Sequence, residues 1–289
     1  MDAVVETTAV TKRYGSVIAL SDCDLALPRG KVSGLVGPNG AGKTTLLHLA
    51  VGLLRPSAGT VRVFGHDSTR ETSAILPRIG FVAQDRPLYR DLTVAESLEL
   101  GRRLNETWDA AYVLARVTRF GLPMSRKIRT LSTGQRAQVA LSLALGKRPE
   151  LLLLDEPVAN LDPVARLALF EELMSVVADD GLTVVFSANA LADVERVCEH
   201  IVILVAGRPR LAGDTDELIE SHVVAIGPRS QGISASDGEL IEARHADRQT
   251  IRLLRGPGPA RVDDGTIVRP ATLEEIVLGY MRPAMEVAA

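Results

Sequence analysis

Residues 37–44 read GPNGAGKT, matching the spacing G-x-x-x-x-G-K-[ST] between a short apolar run, KVSGLV (31–36), and a helical pattern, TTLLHLAVGLL. Gly37, Gly40 and Gly42 allow unusual backbone angles and close approach, so successive amides can point at phosphate oxygens. The helix start adds a partial positive charge of about half a unit. Lys43 suits a bridge between β- and γ-phosphates, and the Thr44 hydroxyl suits Mg²⁺. Gly37, Pro38, Asn39, Gly40, Ala41, Gly42, Lys43, Thr44 and Thr45 thus form a candidate nucleotide cradle. A glycine-rich turn is the alternative, and the strand-before, helix-after context favours the cradle.

LLLLDEP (151–157) runs four leucines into two carboxylates. A buried strand ending in Asp155 can hold a Mg²⁺ beside the cradle, directly or through water. Glu156 points to the other side of the chain and can accept a proton from an attacking water. A solvated turn in which Glu-Pro ends the strand is the competing reading, weakened by the cradle's presence.

LSTGQ (131–135) completes an ordered series: GPNGAGKT, Gln84, LSTGQ, LLLLDE and ANLD (159–162). In that order the motifs strongly resemble an ATP-binding-cassette (ABC) ATPase over roughly residues 4–215. The resemblance implies an α/β P-loop NTPase core with an inserted helical subdomain, and ATP with Mg²⁺ as cofactors. It also implies head-to-tail pairing, as a homodimer or with a different ATPase subunit, with ATP between one cradle and the other chain's LSTGQ. Ser132, Gly134 and Gln135 would face the nucleotide there; a hydroxyl, a close amide and a helix N-terminus suit a γ-phosphate. Thr133 stands where the family more often has glycine. A plain helix N-cap at Ser132 is the alternative. By the same resemblance Tyr14 matches the aromatic that stacks on adenine, or is a surface tyrosine. Gln84 matches the glutamine that contacts Mg²⁺ and senses the helical lobe, or is an exposed loop residue. Asp162 matches the acidic residue of the loop at the dimer seam, or caps the helix beginning at Pro163.

The family's histidine that contacts the γ-phosphate is replaced by Asn189, in SANALADVE. An amide still donates to phosphate but cannot become cationic or relay a proton near neutral pH. Three compatible readings stay open. Asn189 keeps the contact while hydrolysis slows, a different partner subunit compensates, or Asn189 caps the helix ALADVERVC.

These residues need elements to position them. Strand-like runs alternate with helical patterns, as in an α/β domain. In the helix after the cradle, Leu46, Leu47, Ala50, Leu53 and Leu54 share one face, and RPSAGT breaks it before the strand TVRVFG. From about Leu88 to Lys147 amphipathic helical segments dominate, beginning with TVAESLELGRRL (93–104) and broken at GLP (121–123). LLLL, TVVF and IVILV restart the buried strands. We expect an ABC ATPase domain over 1–215 and a small accessory region over 216–289. In the latter, QTIRLLR and GTIVRP suggest short strands, and ATLEEIVLGYM a helix with Thr272 and Glu275 at capping-box spacing.

With 46% hydrophobic residues and a net charge of −3, nothing argues electrostatically for nucleic acid or anionic lipid. Cys23 and Cys198 make neither a disulfide framework nor a metal cluster. The N-terminus lacks a signal-peptide pattern, and no stretch approaches the roughly 18 apolar residues of a membrane span. The expected place is cytoplasmic, peripheral on the inner face of the cell membrane through an integral-membrane permease. The segment after Gln84, DRPLYRDLTVAESL, sits where the family docks its permease, so Tyr89, Leu92 and Val94 are candidate contacts or ordinary lobe core. The C-terminal pattern resembles tails of bacterial exporter-type ATPases. A soluble ABC protein acting on ribosomes or DNA is the rival, disfavoured by a single cassette without a long coiled coil. A slow nucleotide-sensing subunit is the third reading.

Overall fold

The structure, a computed structural model, describes residues 2–228, 238–246, 249–256 and 266–282. The chain opens with the hairpin β1 (Ala3–Tyr14) and β2 (Val17–Pro28), then β3 (Val32–Val36) and α1 (Lys43–Ala50). β4 (Ala58–Val63), β5 (His66–Asp67), α2 (Thr72–Ile75) and β6 (Ile79–Val82) follow. The inserted lobe is built from α3 (Val94–Leu104), α4 (Ala110–Arg119) and α5 (Thr133–Leu145). β7 (Leu151–Leu154), α6 (Pro163–Asp180), β8 (Thr183–Ala188), α7 (Leu191–Val197), β9 (His200–Val205) and β10 (Arg208–Asp214) complete the core. The C-terminal part holds α8 (Thr215–Glu220), β11 (His222–Pro228), β12 (Glu239–Ala246), β13 (Gln249–Arg255), β14 (Ile267–Pro270) and α9 (Leu273–Met281).

The central sheet has the order β10-β9-β3-β8-β7-β6, parallel except for β10. Its inner strands are buried on both faces, as expected when helices or a second sheet cover each side. Alternation divides them cleanly. Val36, Leu152, Leu154, Val184 and Phe186 join the cluster that includes α5 and α6, while Leu35, Leu151, Leu153 and Val185 join the one around α1. That second face is covered by α1 and the antiparallel sheet β2-β1-β4-β5. The period of two therefore places Asp155 and Ser187 on the α1 side before any contact is considered.

One sequence expectation needs correction, and one open alternative is decided. The helix after the cradle stops at Ala50: Gly52 takes a left-handed φ of 78°, and Leu53 lies 62% exposed off the buried face of Leu46, Leu47 and Ala50. For Val94 the lobe-core reading holds, not the permease-contact one: it is fully buried with Leu98, Val113 and Val139. Tyr89 is exposed and Leu92 half-buried. Each lobe helix starts on a side-chain cap, Thr93 with Glu96, Asp109, and Ser132 with Gln135.

Beyond α8 the chain forms the antiparallel sheet β12-β13-β11-β14, and α9 starts on the expected Thr272–Glu275 capping box. Val224, Leu253, Ile276 and Val277 belong to the same buried cluster as Ile201, Ile203 and Leu211. The C-terminal sheet and helix are therefore packed onto the core rather than tethered beside it. No described helix is long and apolar enough to cross a membrane.

Candidate functional site

Adjacent parallel strands deliver the site. β3 runs into Gly37, β8 into Asn189, β7 into Asp155 and β6 into Gln84, all leaving carboxyl ends of neighbours in the order β3-β8-β7-β6. Ligands of open α/β sheets bind at that edge.

The cradle's shape depends on its glycines for two separate reasons. Gly42 is the N-cap of α1 at φ 104°, and a Cβ there would lie 2.6 Å from the Ala19 carbonyl oxygen. Gly37 is not left-handed, yet a Cβ on it would sit 2.2 Å from the Leu204 carbonyl oxygen, so close approach excludes any side chain. Lys43 is buried and folds over its own loop, donating to the carbonyls of Gly37 at 2.7 Å and Pro38 at 3.2 Å. Burial pulls its ammonium below the usual lysine value, against the attraction of Glu156 and Asp155.

The parity of β7 and β8 has its consequence here. Thr44 Oγ1 donates to Asp155 Oδ1 at 3.1 Å, and Ser187 Oγ donates to the same oxygen at 2.7 Å. Ser187 Oγ also accepts from the Glu156 amide at 2.8 Å, beside a Glu156 φ of 46°. Asp155 Oδ2 is buried with no hydrogen-bond partner. A buried carboxylate oxygen left free next to a threonine hydroxyl fits the hard-oxygen preference of Mg²⁺, which takes few protein ligands and completes its shell with phosphate and water.

Glu156 is held from both sides: Oε1 accepts from Asn189 Nδ2 at 2.6 Å and Oε2 from Gln84 Nε2 at 3.1 Å. The capping reading of Asn189 is overturned. The N-cap of α7 is Ala190, and no side chain caps that helix. The amide is committed to a carboxylate instead.

A cavity of about 450 Å³ is lined by Asn39, Gly40, Ala41, Gly42, Lys43, Thr44 and Thr45, with Gln84, Glu156, Asn189, Val17, Ile18 and Ala19. Other sequence-predicted residues lie outside its lining. Tyr14 is half-exposed under the Lys12 ammonium, paired in the hairpin with cavity-lining Val17. Ser132 is exposed at the tip of α5, its Oγ accepting from the Gln135 amide while Gln135 Oε1 accepts from its own. Asp162 caps α6 through the amides of Val164 and Ala165. Both capping readings are therefore realised, and neither removes the exposed hydroxyl or carboxylate from solvent. Gly134 lies where a Cβ would come within 3.1 Å of Ala165, bringing the tips of α5 and α6 together.

Sequence reasoning missed Ser187, Val17 and Ile18. A lone serine in TVVFSA is the one signal for the first, because a hydroxyl in a strand buried throughout must find a partner. Val17 and Ile18 are unusually exposed apolar residues, 63% and 44%, and sequence alone cannot show that exposure.

Residues 20–159 match the ABC transporter family model. The daunorubicin resistance ATP-binding protein DrrA3 of Streptomyces coeruleorubidus is 33% identical over 96% of this chain and 95% of its own length. The Nod factor export ATP-binding protein I of Cupriavidus metallidurans is 34% identical, covering 96% and 97%. Among solved structures, the dimeric post-hydrolysis state of the ATP-binding cassette MJ0796 bound to ADP and Pi superposes with a TM-score of 0.65 and 27% identity, over 73% of this chain and 98% of that one. Likeness along nearly the whole length, joined to a phosphate cradle facing two carboxylates, makes this chain a member of the ABC transporter family, an ATP-binding and ATP-hydrolysing subunit.

Proposed function

We propose that the chain is the motor of an export system, working as a head-to-tail pair of copies that closes over two ATP molecules and drives an integral-membrane permease. The observation that carries this is the division of the site. The cradle and Glu156 line one cavity, with Asp155 buried against the cradle's Thr44, while Ser132 and Asp162 stand exposed elsewhere on the same chain. A second copy, turned head-to-tail, would bring its Ser132 hydroxyl, the Gly134 amide and Gln135 to the γ-phosphate that the first copy holds. The printed functions of the relatives, drug resistance and Nod factor export, support the outward direction.

In this reading the backbone of Gly37–Thr45 and Lys43 bind the phosphates, and Val17, Ile18 and Tyr14 border the base. Thr44, Asp155 and Gln84 would hold Mg²⁺, which when bound neutralises charge on the β- and γ-phosphate oxygens. Glu156 orients water and takes its proton. Ser187 fixes both acids at once. Ser187→Ala is expected to lower kcat about 10- to 100-fold with little change in ATP affinity, as for other residues that orient a metal ligand; steady-state kinetics with an ATP-binding titration checks this.

Asn189 holds Glu156 without titrating. Wild-type turnover should therefore show no histidine-like inflection between about pH 6 and 7.5, and Asn189→His should introduce one. A pH series of kcat on both proteins measures the difference.

An apolar groove of about 460 Å³ supports permease docking. It runs between core and lobe, lined by exposed Leu53 and Leu76 with Phe81, Leu88 and Leu143. An amphipathic helix from a membrane protein's cytoplasmic face is the occupant such a surface suits. The chain would then lie on the inner face of the cell membrane, with residues 216–289 as an accessory unit on the 1–215 ATPase domain. Purification from native membranes tests the proposal. It predicts a multi-span protein co-purifying with the chain and stimulating Mg-ATP turnover; a chain recovered alone from the soluble fraction, with unstimulated turnover, would contradict it.

A further inference from the structure

Arg86 lies two residues beyond Gln84, and the roles drawn from the family's motifs leave it unassigned. It is only partly exposed, and its backbone is left-handed at φ 43°, a conformation a long side chain adopts only when its surroundings enforce it. The loop is tight: the Arg86 amide donates to the Ala83 carbonyl at 3.0 Å, and its own carbonyl accepts from Leu88 at 2.7 Å. Arg86 Nη2 donates to the carbonyls of Pro157 at 2.5 Å and Ala159 at 3.3 Å. Those carbonyls belong to the turn between Glu156 and Asp162, which contains two further left-handed residues, Glu156 at 46° and Asn160 at 61°. The same side chain, with Pro87 and Leu88, lines the apolar groove. Burial works against its positive charge, and Arg136 in the first turn of α5 adds to that. Two carbonyl acceptors offset both effects.

We propose that Arg86 is a positioning residue linking the groove to the catalytic turn, so that an occupant pressing on Pro87 and Leu88 is felt at Glu156 and Asp162 through one guanidinium. The link rests on the reading of the groove as the permease site. Left-handed residues persist where their surroundings hold them, and a charge-assisted bond to the turn's carbonyls is part of what holds Glu156 and Asn160 there. Lysine cannot substitute fully: both bonds leave the single Nη2, and a lysine ammonium, though it has donors enough, sits one bond nearer the backbone.

The test uses the transporter complex purified from native membranes, with ATP turnover and hydrogen exchange over residues 158–162 as readouts. Arg86→Met should keep the permease bound and KM for ATP within about twofold, while permease-stimulated kcat falls about tenfold, the scale of a lost charge-assisted hydrogen bond. Exchange over 158–162 should rise, and Arg86→Lys should recover part of both. A complex in which Arg86→Met keeps wild-type stimulated kcat and exchange overturns the link and leaves the docking reading standing. So does one that loses the permease, since Arg86 would then be a docking contact only. If the wild-type chain brings down no integral partner, the docking reading fails and the link fails with it.

Discussion

Exchanging Glu156 for glutamine is expected to lower ATP turnover by about 100- to 10,000-fold, the range ascribed to a positioned general base. The substitution is nearly isosteric, so the consequence is chemical. Both Glu156 oxygens accept amide hydrogens, from Asn189 and Gln84. A glutamine keeps one acceptor oxygen and presents an amino group to the other donor, and it cannot take a proton from water. Nucleotide affinity should survive, because Lys43 and the backbone of Gly37–Thr45 belong to a different segment, set by the α1 cap and the close packing at Gly37. The variant should thus bind Mg-ATP and accumulate it uncleaved. Phosphate release in a single turnover, beside an ATP-binding titration, separates the two effects; an unchanged release rate would remove Glu156 from the chemistry.

The second large effect concerns stability. Arg116 on α4 is 3% exposed; its guanidinium donates to Glu172 on α6 through Nη1, to Gln138 Oε1 at 3.0 Å and to Ser142 Oγ at 3.3 Å, the last two on α5. One buried cation thereby joins the lobe, the helix that begins at Ser132 and the helix that begins at Asp162. Arg119 Nη1 lies 3.1 Å from the other Glu172 oxygen and is itself 62% exposed. Removing one member of a buried pair leaves an uncompensated charge and costs about 3–5 kcal/mol, whereas replacing both with apolar residues is often neutral. Glu172→Leu should therefore cost the full amount. Arg116→Met should cost less, because Arg119 still faces Glu172. The double variant should return close to wild type, and denaturant midpoints for the four proteins measure the coupling. Equal and additive losses would show that the pair does not interact as the geometry requires.

What sequence could and could not disclose follows physical lines. The cradle and the acidic strand end are short contiguous segments whose residue types and spacing point to phosphate and metal chemistry, whereas Gln84 and LSTGQ are legible only through the resemblance of the whole ordered series. Ser187 acts through register: its partners, Asp155 and the Glu156 amide, come from a neighbouring strand, and pairing of Leu154 with Phe186 brings them level. Leu53 continues the helical spacing, yet the left-handed Gly52 turns it onto the groove. Val94 has the composition of a docking residue and the burial of a core one, which only the closure of α3 against α4 and α5 decides. Asn189 precedes a helix and belongs to the favoured capping types, but α7 begins one residue later, with Ala190 at its N-cap, and the Asn189 amide donates to Glu156 instead. β11 and β12 escaped notice because a half-exposed antiparallel sheet with His222, Glu242 and Arg252 buried in it departs from simple alternation.

Thiol crosslinking tests most directly whether two copies share each nucleotide. Both native cysteines are buried and free, so cysteines introduced as Asn39→Cys and Thr133→Cys, on a Glu156→Gln background, report against a low background. Mg-ATP should produce an intermolecular disulfide joining cradle to α5 tip, absent without nucleotide, and a particle of twice the mass. A chain that binds Mg-ATP yet stays monomeric, with no crosslink under either condition, would contradict the account.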